Sequence, residues 1–164
     1  AIAGTLVVMC GGERETFDKV EGLLHCVGST ATYMGSTGCG CVAKLANNMI
    51  VGINLVAVGE AYTYAAKAGL EPTVLFAAIK GGFAQNAVMD MKVPKILSRD
   101  FSPSARIAVH HKDIKNAMQL ANEMGVELPL SAVVLNRMEE WGMIDEDQCA
   151  LVKVFEKAMN VEVK

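Results

Sequence analysis

A long uninterrupted run limits the folds open to this chain. From Cys41 to Lys67 there is no proline, and Gly69 follows as a stop signal. About 27 residues at ~1.5 Å each make a helical rod of roughly 40 Å. Its middle, Met49 to Gly59, is apolar on nearly every face, with Ile50, Val51, Ile53, Leu55, Val56 and Val58. A helix apolar all round must be buried all round. A membrane span is the obvious rival, but the run is short for one, and Asn47, Asn48, Asn54 and Glu60 bracket or interrupt it. The expectation is a core helix without a membrane partner. Gly52 and Gly59 would let a neighbouring helix approach, so a homodimer or homotetramer through this helix is expected.

The rest of the sequence reads as mostly helical. Half the residues are apolar but only 5% are aromatic, which suits packed Ala, Val, Leu, Ile and Met better than a β-sandwich. Thr5–Cys10 and Ala31–Met34 read as short strands. Between them Glu13–Val27 carries Phe17, Val20, Leu23, Leu24 and Val27 at helical spacing, with Gly28 as its stop. Further helices are expected over 72–80, 85–97, 109–124 and 129–141, and Pro94 is expected to kink or split the second of them. Asp145 or Asp147 caps a final helix ending near Met159. A β-α-β segment over 1–36 followed by a helical domain over 37–164 is the expected layout.

Charge and cysteine usage exclude some partners. A net charge of −3, with no basic run and no interleaved aromatics, speaks against nucleic acid. Five cysteines, odd in number and without CxxC spacing, point to a reducing, cytoplasmic compartment and to no metal site. His110-His111 point in different directions on a helix and have no third ligand at a useful offset, so no metal is expected there either. The chain starts Ala1-Ile2-Ala3-Gly4, without Met and without a signal-peptide layout, which reads as the start of a fragment.

The chemistry concentrates just ahead of the long helix, in Gly38-Cys39-Gly40-Cys41-Val42-Ala43-Lys44-Leu45-Ala46-Asn47-Asn48. Two glycines allow a backbone turn with no Cβ in the way. Lys44 and Asn48, four apart, share one face of the helix that follows. A proton donor and an amide thus meet near a helix N-terminus, which favours a small carboxylate. The same residues also fit a solvated surface lysine and a satisfied core asparagine.

The spacing Gly-x-Gly-x-x-x-Lys-x-x-x-Asn resembles the catalytic motif of the β-hydroxyacid dehydrogenases, the 3-hydroxyisobutyrate dehydrogenase-like family. Ala3-Gly4-Thr5-Leu6 with Met9, Gly11 and Gly12 is similar to that family's segment closing its nucleotide-binding domain. Phe101-Ser102-Pro103 with Lys112-Asp113 is similar to its late cofactor-side motif. Within the family, the runs Ala78–Ala84, Met89–Pro94 and Phe155–Lys157 look most like enzymes that reduce tartronate semialdehyde. The family usually carries an apolar residue near His110 and an aromatic near Ala105, and this chain departs at both.

The resemblance implies an all-helical C-terminal domain of the 6-phosphogluconate dehydrogenase-like type behind a remnant of a Rossmann-type domain. It implies NAD or NADP as cofactor and a small hydroxyacid or its semialdehyde as substrate. Lys44 would be catalytic, Gly38, Gly40 and Asn48 would bind substrate, and Lys112 would face the cofactor. The reaction expected is reduction of tartronate semialdehyde to glycerate, with 3-hydroxyisobutyrate oxidation as the alternative. A non-catalytic helical dimerisation module is the rival from another class. Gly-x-Gly-x-x-Gly does not occur after a strand. Most of the cofactor site is therefore expected in a missing N-terminal domain, leaving this chain inactive alone.

Overall fold

A computed structural model describes residues 3–164. The chain forms two compact units, Ala1–Asn47 and Asn48–Lys164.

In the first unit, β1 (Leu6–Gly11) and β2 (Gly28–Gly35) pair in parallel, and α1 (Arg14–Leu24) is the crossover between them. Parallel neighbours need such a connection, since a tight hairpin reverses direction. Phe17 of α1 is buried and tilts against Tyr33 of β2 at 5.5 Å between ring centroids. Helix α1 stops at Leu24, short of the expected Val27. Gly28 is the first residue of β2 and not a helix stop. A Cβ on Gly28 would lie 2.5 Å from the Leu6 carbonyl oxygen, so the glycine serves close strand approach.

Helix α2 (Cys39–Lys67) begins just after β2. Its first turn lies on the β1 backbone: a Cβ on Gly40 would be 2.5 Å from Met9 O, and one on Gly11 would be 2.8 Å from Gly40 N. This corrects the expected fold class. The two-stranded parallel sheet and the opening turns of α2 form one unit, so no separate all-helical domain stands behind a β-α-β remnant. The physical reason is backbone contact at glycines, which apolar periodicity does not register.

The second unit contains the rest of α2, then α3 (Pro72–Ile79), α4 (Ala87–Leu97), α5 (Ile107–Glu123), α6 (Pro129–Trp141), a 3-10 turn over Gln148–Leu151 and α7 (Val152–Met159). Proline opens α3 and α6, where its missing N–H is harmless. Asn86 caps α4 by accepting from Met89 N at 3.0 Å. Pro94 stands inside α4 without splitting it. Leu55 and Val56 pack with Ile107, Ile114, Val134, Met138, Leu151 and Phe155 in one cluster. Val58 and Tyr62 pack with Met89, Val93, Ile96 and Val152 in another.

By length and composition α2 could cross a membrane, yet these side chains give it the role of a core helix. The burial expected on every face is not met within one copy, because Ile50 and Tyr64 stay 63% and 69% exposed. Ala57 and Ala61 are exposed beside them.

Candidate active site

The glycine turn expected from the sequence is formed within the first unit. Gly35 and Gly38 adopt φ of +116° and +94°, a region that L side chains resist. Gly12 N donates to Gly35 O at 2.9 Å, and Cys39 N donates to Ser36 O at 3.0 Å. Val42 N donates to Gly38 O at 3.0 Å, which starts the helical ladder. Four residues beyond Gly40, and so on the same helix face, exposed Lys44 lines an open hollow of about 420 Å³. Leu6, Val7, Val8, Met9, Gly40 and Asn47 complete its wall. An ammonium at the edge of a largely apolar hollow, one turn into a helix, can meet a small anionic or carbonyl-bearing molecule.

The second unit organises Asn48. It is 7% exposed, and its Nδ2 donates to Asp113 Oδ2 at 2.6 Å. The other carboxylate oxygen of Asp113 lies 3.4 Å from Lys112 Nζ. The ammonium of Lys112 is largely exposed, with the side chain 67% accessible. One carboxylate thus joins two residues expected at the site, Asn48 and Lys112. The other three, Gly38, Gly40 and Lys44, are in the first unit.

Sequence reasoning missed the role of Asp113, although the Lys-Asp pair was its visible signal. It also missed the role of His110, weighed there as a metal ligand and noted as a departure from the family. His110 is 2% exposed; its Nε2 lies 2.8 Å from Asn48 O and its Nδ1 3.0 Å from Gln148 Nε2. His111 instead pairs with Glu139 at 3.1 Å. Among the described residues, no group of three or more His, Cys, Asp or Glu could hold a metal ion. Phe83 is fully exposed. It stands at a separate hollow of about 460 Å³ lined by Asn54, Ala57, Ala61, Tyr62 and Met89 among others.

A buried ion pair holds the segment leading into α5, the helix that carries His110, Lys112 and Asp113. Lys92 Nζ reaches Asp147 Oδ1 at 2.8 Å and donates to Ser104 Oγ at 3.2 Å. Asp147 Oδ2 accepts from Ser104 N, Ser104 Oγ and Ala105 N at 2.9, 2.7 and 3.0 Å. Its Oδ1 also accepts from Cys149 N at 3.0 Å, capping the 3-10 turn. Burial works to raise the Asp147 pKa, but the Lys92 ammonium and these donors outweigh it and hold the carboxyl well below the usual range. Burial also pushes the Cys149 thiol up to about 12, which leaves it inert as a nucleophile.

Comparison with known proteins identifies the family. Residues 38–155 match the sequence model described as the NAD-binding region of NADP-dependent 3-hydroxyisobutyrate dehydrogenase. The chain belongs to the 3-hydroxyisobutyrate dehydrogenase family. It is 35% identical over 160 residues to 2-hydroxy-3-oxopropionate reductase of Escherichia coli, covering 96% of this chain and 55% of that protein. It is 32% identical over 167 residues to 2-(hydroxymethyl)glutarate dehydrogenase of Eubacterium barkeri, covering 99% and 56%. A solved Mycobacterium tuberculosis 3-hydroxyisobutyrate dehydrogenase with L-serine superposes with a TM-score of 0.86 at 26% identity, covering 93% of this chain and 56% of that one.

The chain therefore spans about half the length of the curated relatives it matches. The NAD-binding match falls on its helical part, which further overturns an all-helical domain set apart from cofactor binding. For the same reason, the missing Gly-x-Gly-x-x-Gly does not leave the chain without a cofactor-binding region. Proteins of this family are NAD(P)-dependent hydroxyacid dehydrogenases.

Proposed function

We propose that the whole protein is an NAD(P)-dependent reductase of a short β-hydroxyacid semialdehyde, converting tartronate semialdehyde to glycerate. The observation that carries this reading is Lys44 at its hollow, one helical turn beyond the Gly38–Gly40 turn. In the reducing direction its ammonium gives a proton to the carbonyl oxygen and stabilises the alkoxide charge developing there. In the oxidising direction the neutral amine takes the proton back. Asn48, held by Asp113, orients the substrate through its amide. Gly38, exposed on the turn, leaves its backbone accessible to the substrate carboxylate, and Gly40 packs the turn against β1.

Lys112 fits a dinucleotide, since its exposed ammonium on a flexible stem can meet a phosphate or ribose while Asp113 tethers it. When bound, the reduced nicotinamide supplies the hydride that the carbonyl carbon receives. Catalysis needs the dinucleotide held within reach of the carbonyl, and the 164-residue chain spans about half the length of its relatives, so by itself it is expected to show no saturable NADH or NADPH oxidation.

The exposed Ile50, Ala57, Ala61 and Tyr64 face of α2 supports a homodimer or homotetramer through that helix, and the net charge and cysteine usage support a cytoplasmic protein without a nucleic-acid partner. A monomer by light scattering at micromolar concentration argues against the assembly. For the reaction, the whole protein is assayed against tartronate semialdehyde and 3-hydroxyisobutyrate with both cofactors, beside Lys44→Ala. Turnover that survives Lys44→Ala rejects the site. A strong preference for 3-hydroxyisobutyrate, the substrate named by the matching family description, moves the substrate assignment to that alternative.

A further inference from the structure

His110 is a buried titratable group that the proposed reaction leaves unused, and its surroundings assign it a task. Nε2 faces the Asn48 carbonyl oxygen at 2.8 Å. A carbonyl can only accept, so the proton sits on Nε2. Nδ1 faces Gln148 Nε2 at 3.0 Å, and an amide nitrogen can only donate, so Nδ1 is the acceptor. With the Gln148 amide in this orientation, the two contacts place the donor of the ring at Nε2.

Room for the ring is made by Gly52, one turn beyond Asn48 on α2. A Cβ there would lie 3.0 Å from His110 Nε2 and 2.9 Å from Val134 Cγ1. Asp113 stands three residues after His110, on the same face of α5, and takes the side-chain amide of Asn48 at 2.6 Å. Asn48 is therefore gripped at both ends by one helix, its carbonyl by His110 and its amide by Asp113. A main-chain carbonyl has two lone pairs, so the imidazole bond can stand beside an ordinary helical one.

We infer that His110 is a positioning residue for Asn48: its Nε2–H, oriented by Gln148, sets where the substrate-binding amide stands. For its catalytic consequence this rests on the substrate role proposed for Asn48; the geometry of the grip does not. Loss of the donor frees the Asn48 backbone to shift and degrades substrate binding more than the chemical step.

The test compares His110→Met, which keeps bulk and removes the donor, with His110→Gln, whose Nε2 can take the place of the imidazole Nε2. Long-range ¹H–¹⁵N spectra of the 164-residue chain at neutral pH are expected to show a protonated Nε2 and a bare Nδ1. The side-chain amide resonances of Asn48 are expected to move in His110→Met and return in His110→Gln. In the whole protein, His110→Met is expected to raise KM about tenfold, the scale of one hydrogen bond, with kcat within about twofold. His110→Gln is expected to recover most of that KM.

An Nδ1–H or doubly protonated ring overturns the inference, as do Asn48 resonances and KM unmoved by His110→Met. If His110→Met does not fold, the wild-type tautomer and the His110→Gln spectra still decide. If the wild-type protein turns over no hydroxyacid, the proposed function fails, while the spectra continue to judge the grip on Asn48.

Discussion

Lys44 and Asn48 stand four residues apart on one helix, yet different physics supports each. In the unit containing Lys44, the buried described residues are Phe17, Gly28 and Gly40. Two of the three are glycines, and backbone lies against backbone at both. Lys44 is placed by the course of the chain, with little side-chain packing around it. In the unit containing Asn48, side chains do the placing. Ile107, Ile114, Val134, Met138 and Leu151 are almost wholly buried, and Lys92 with Asp147 forms an ion pair out of water. A substitution at Lys44 should therefore register in turnover and leave folding alone. Substitutions in the second unit should register in stability, and in substrate binding where they touch Asn48.

The strongest test of that contrast is Lys44→Ala. In the whole protein kcat is expected to fall by about 10²–10⁴, the worth of a positioned proton donor, or roughly 3–5 kcal/mol of barrier. Its melting temperature should not change, and a matching loss of stability would remove the contrast. Next comes Lys92→Met, which strands the buried Asp147 carboxylate and should cost about 3–5 kcal/mol in urea unfolding.

The acid limb probes the same pair. The folded pKa of Asp147 lies below its unfolded value, so its stabilisation is complete above about pH 4 and is lost as pH falls further. Asp147→Asn should flatten the dependence of the urea midpoint on pH below that point. Gly52→Leu is expected to cost about 1–3 kcal/mol by overpacking against Val134 and His110. Asn48→Ala should raise KM about tenfold with a smaller change in kcat, and an unchanged KM with collapsed stability would reduce Asn48 to a core polar group. At the small end, Arg14→Ala removes an exposed pair with Asp18 and should change stability by less than about 1 kcal/mol.

Local chemistry was legible in the residues themselves. Absence of proline over 41–67 marked α2, and Pro72 and Pro129 marked the starts of α3 and α6. The spacing of Gly38, Gly40, Lys44 and Asn48 carried the family resemblance, and the family match bears that out. Gly28 was misread because a glycine after a helical pattern looks the same whether it ends a helix or admits a neighbouring strand. The all-helical domain was misread because periodicity reports which face of an element is apolar and says nothing about the backbone it touches.

What only the tertiary structure decided are the long-range polar pairings. Asn48 and Asp113 lie 65 residues apart, Lys92 and Asp147 55 apart, and His110 and Gln148 38 apart. By itself the sequence determined where helices could run and that a lysine and an amide would share a face, since both follow from local geometry along the chain. Whether that amide would be held, by which carboxylate, and with which histidine on its carbonyl, depended on how helices distant in sequence pack together. Packing brings those groups within about 3 Å of one another, the range in which a hydrogen bond forms at all.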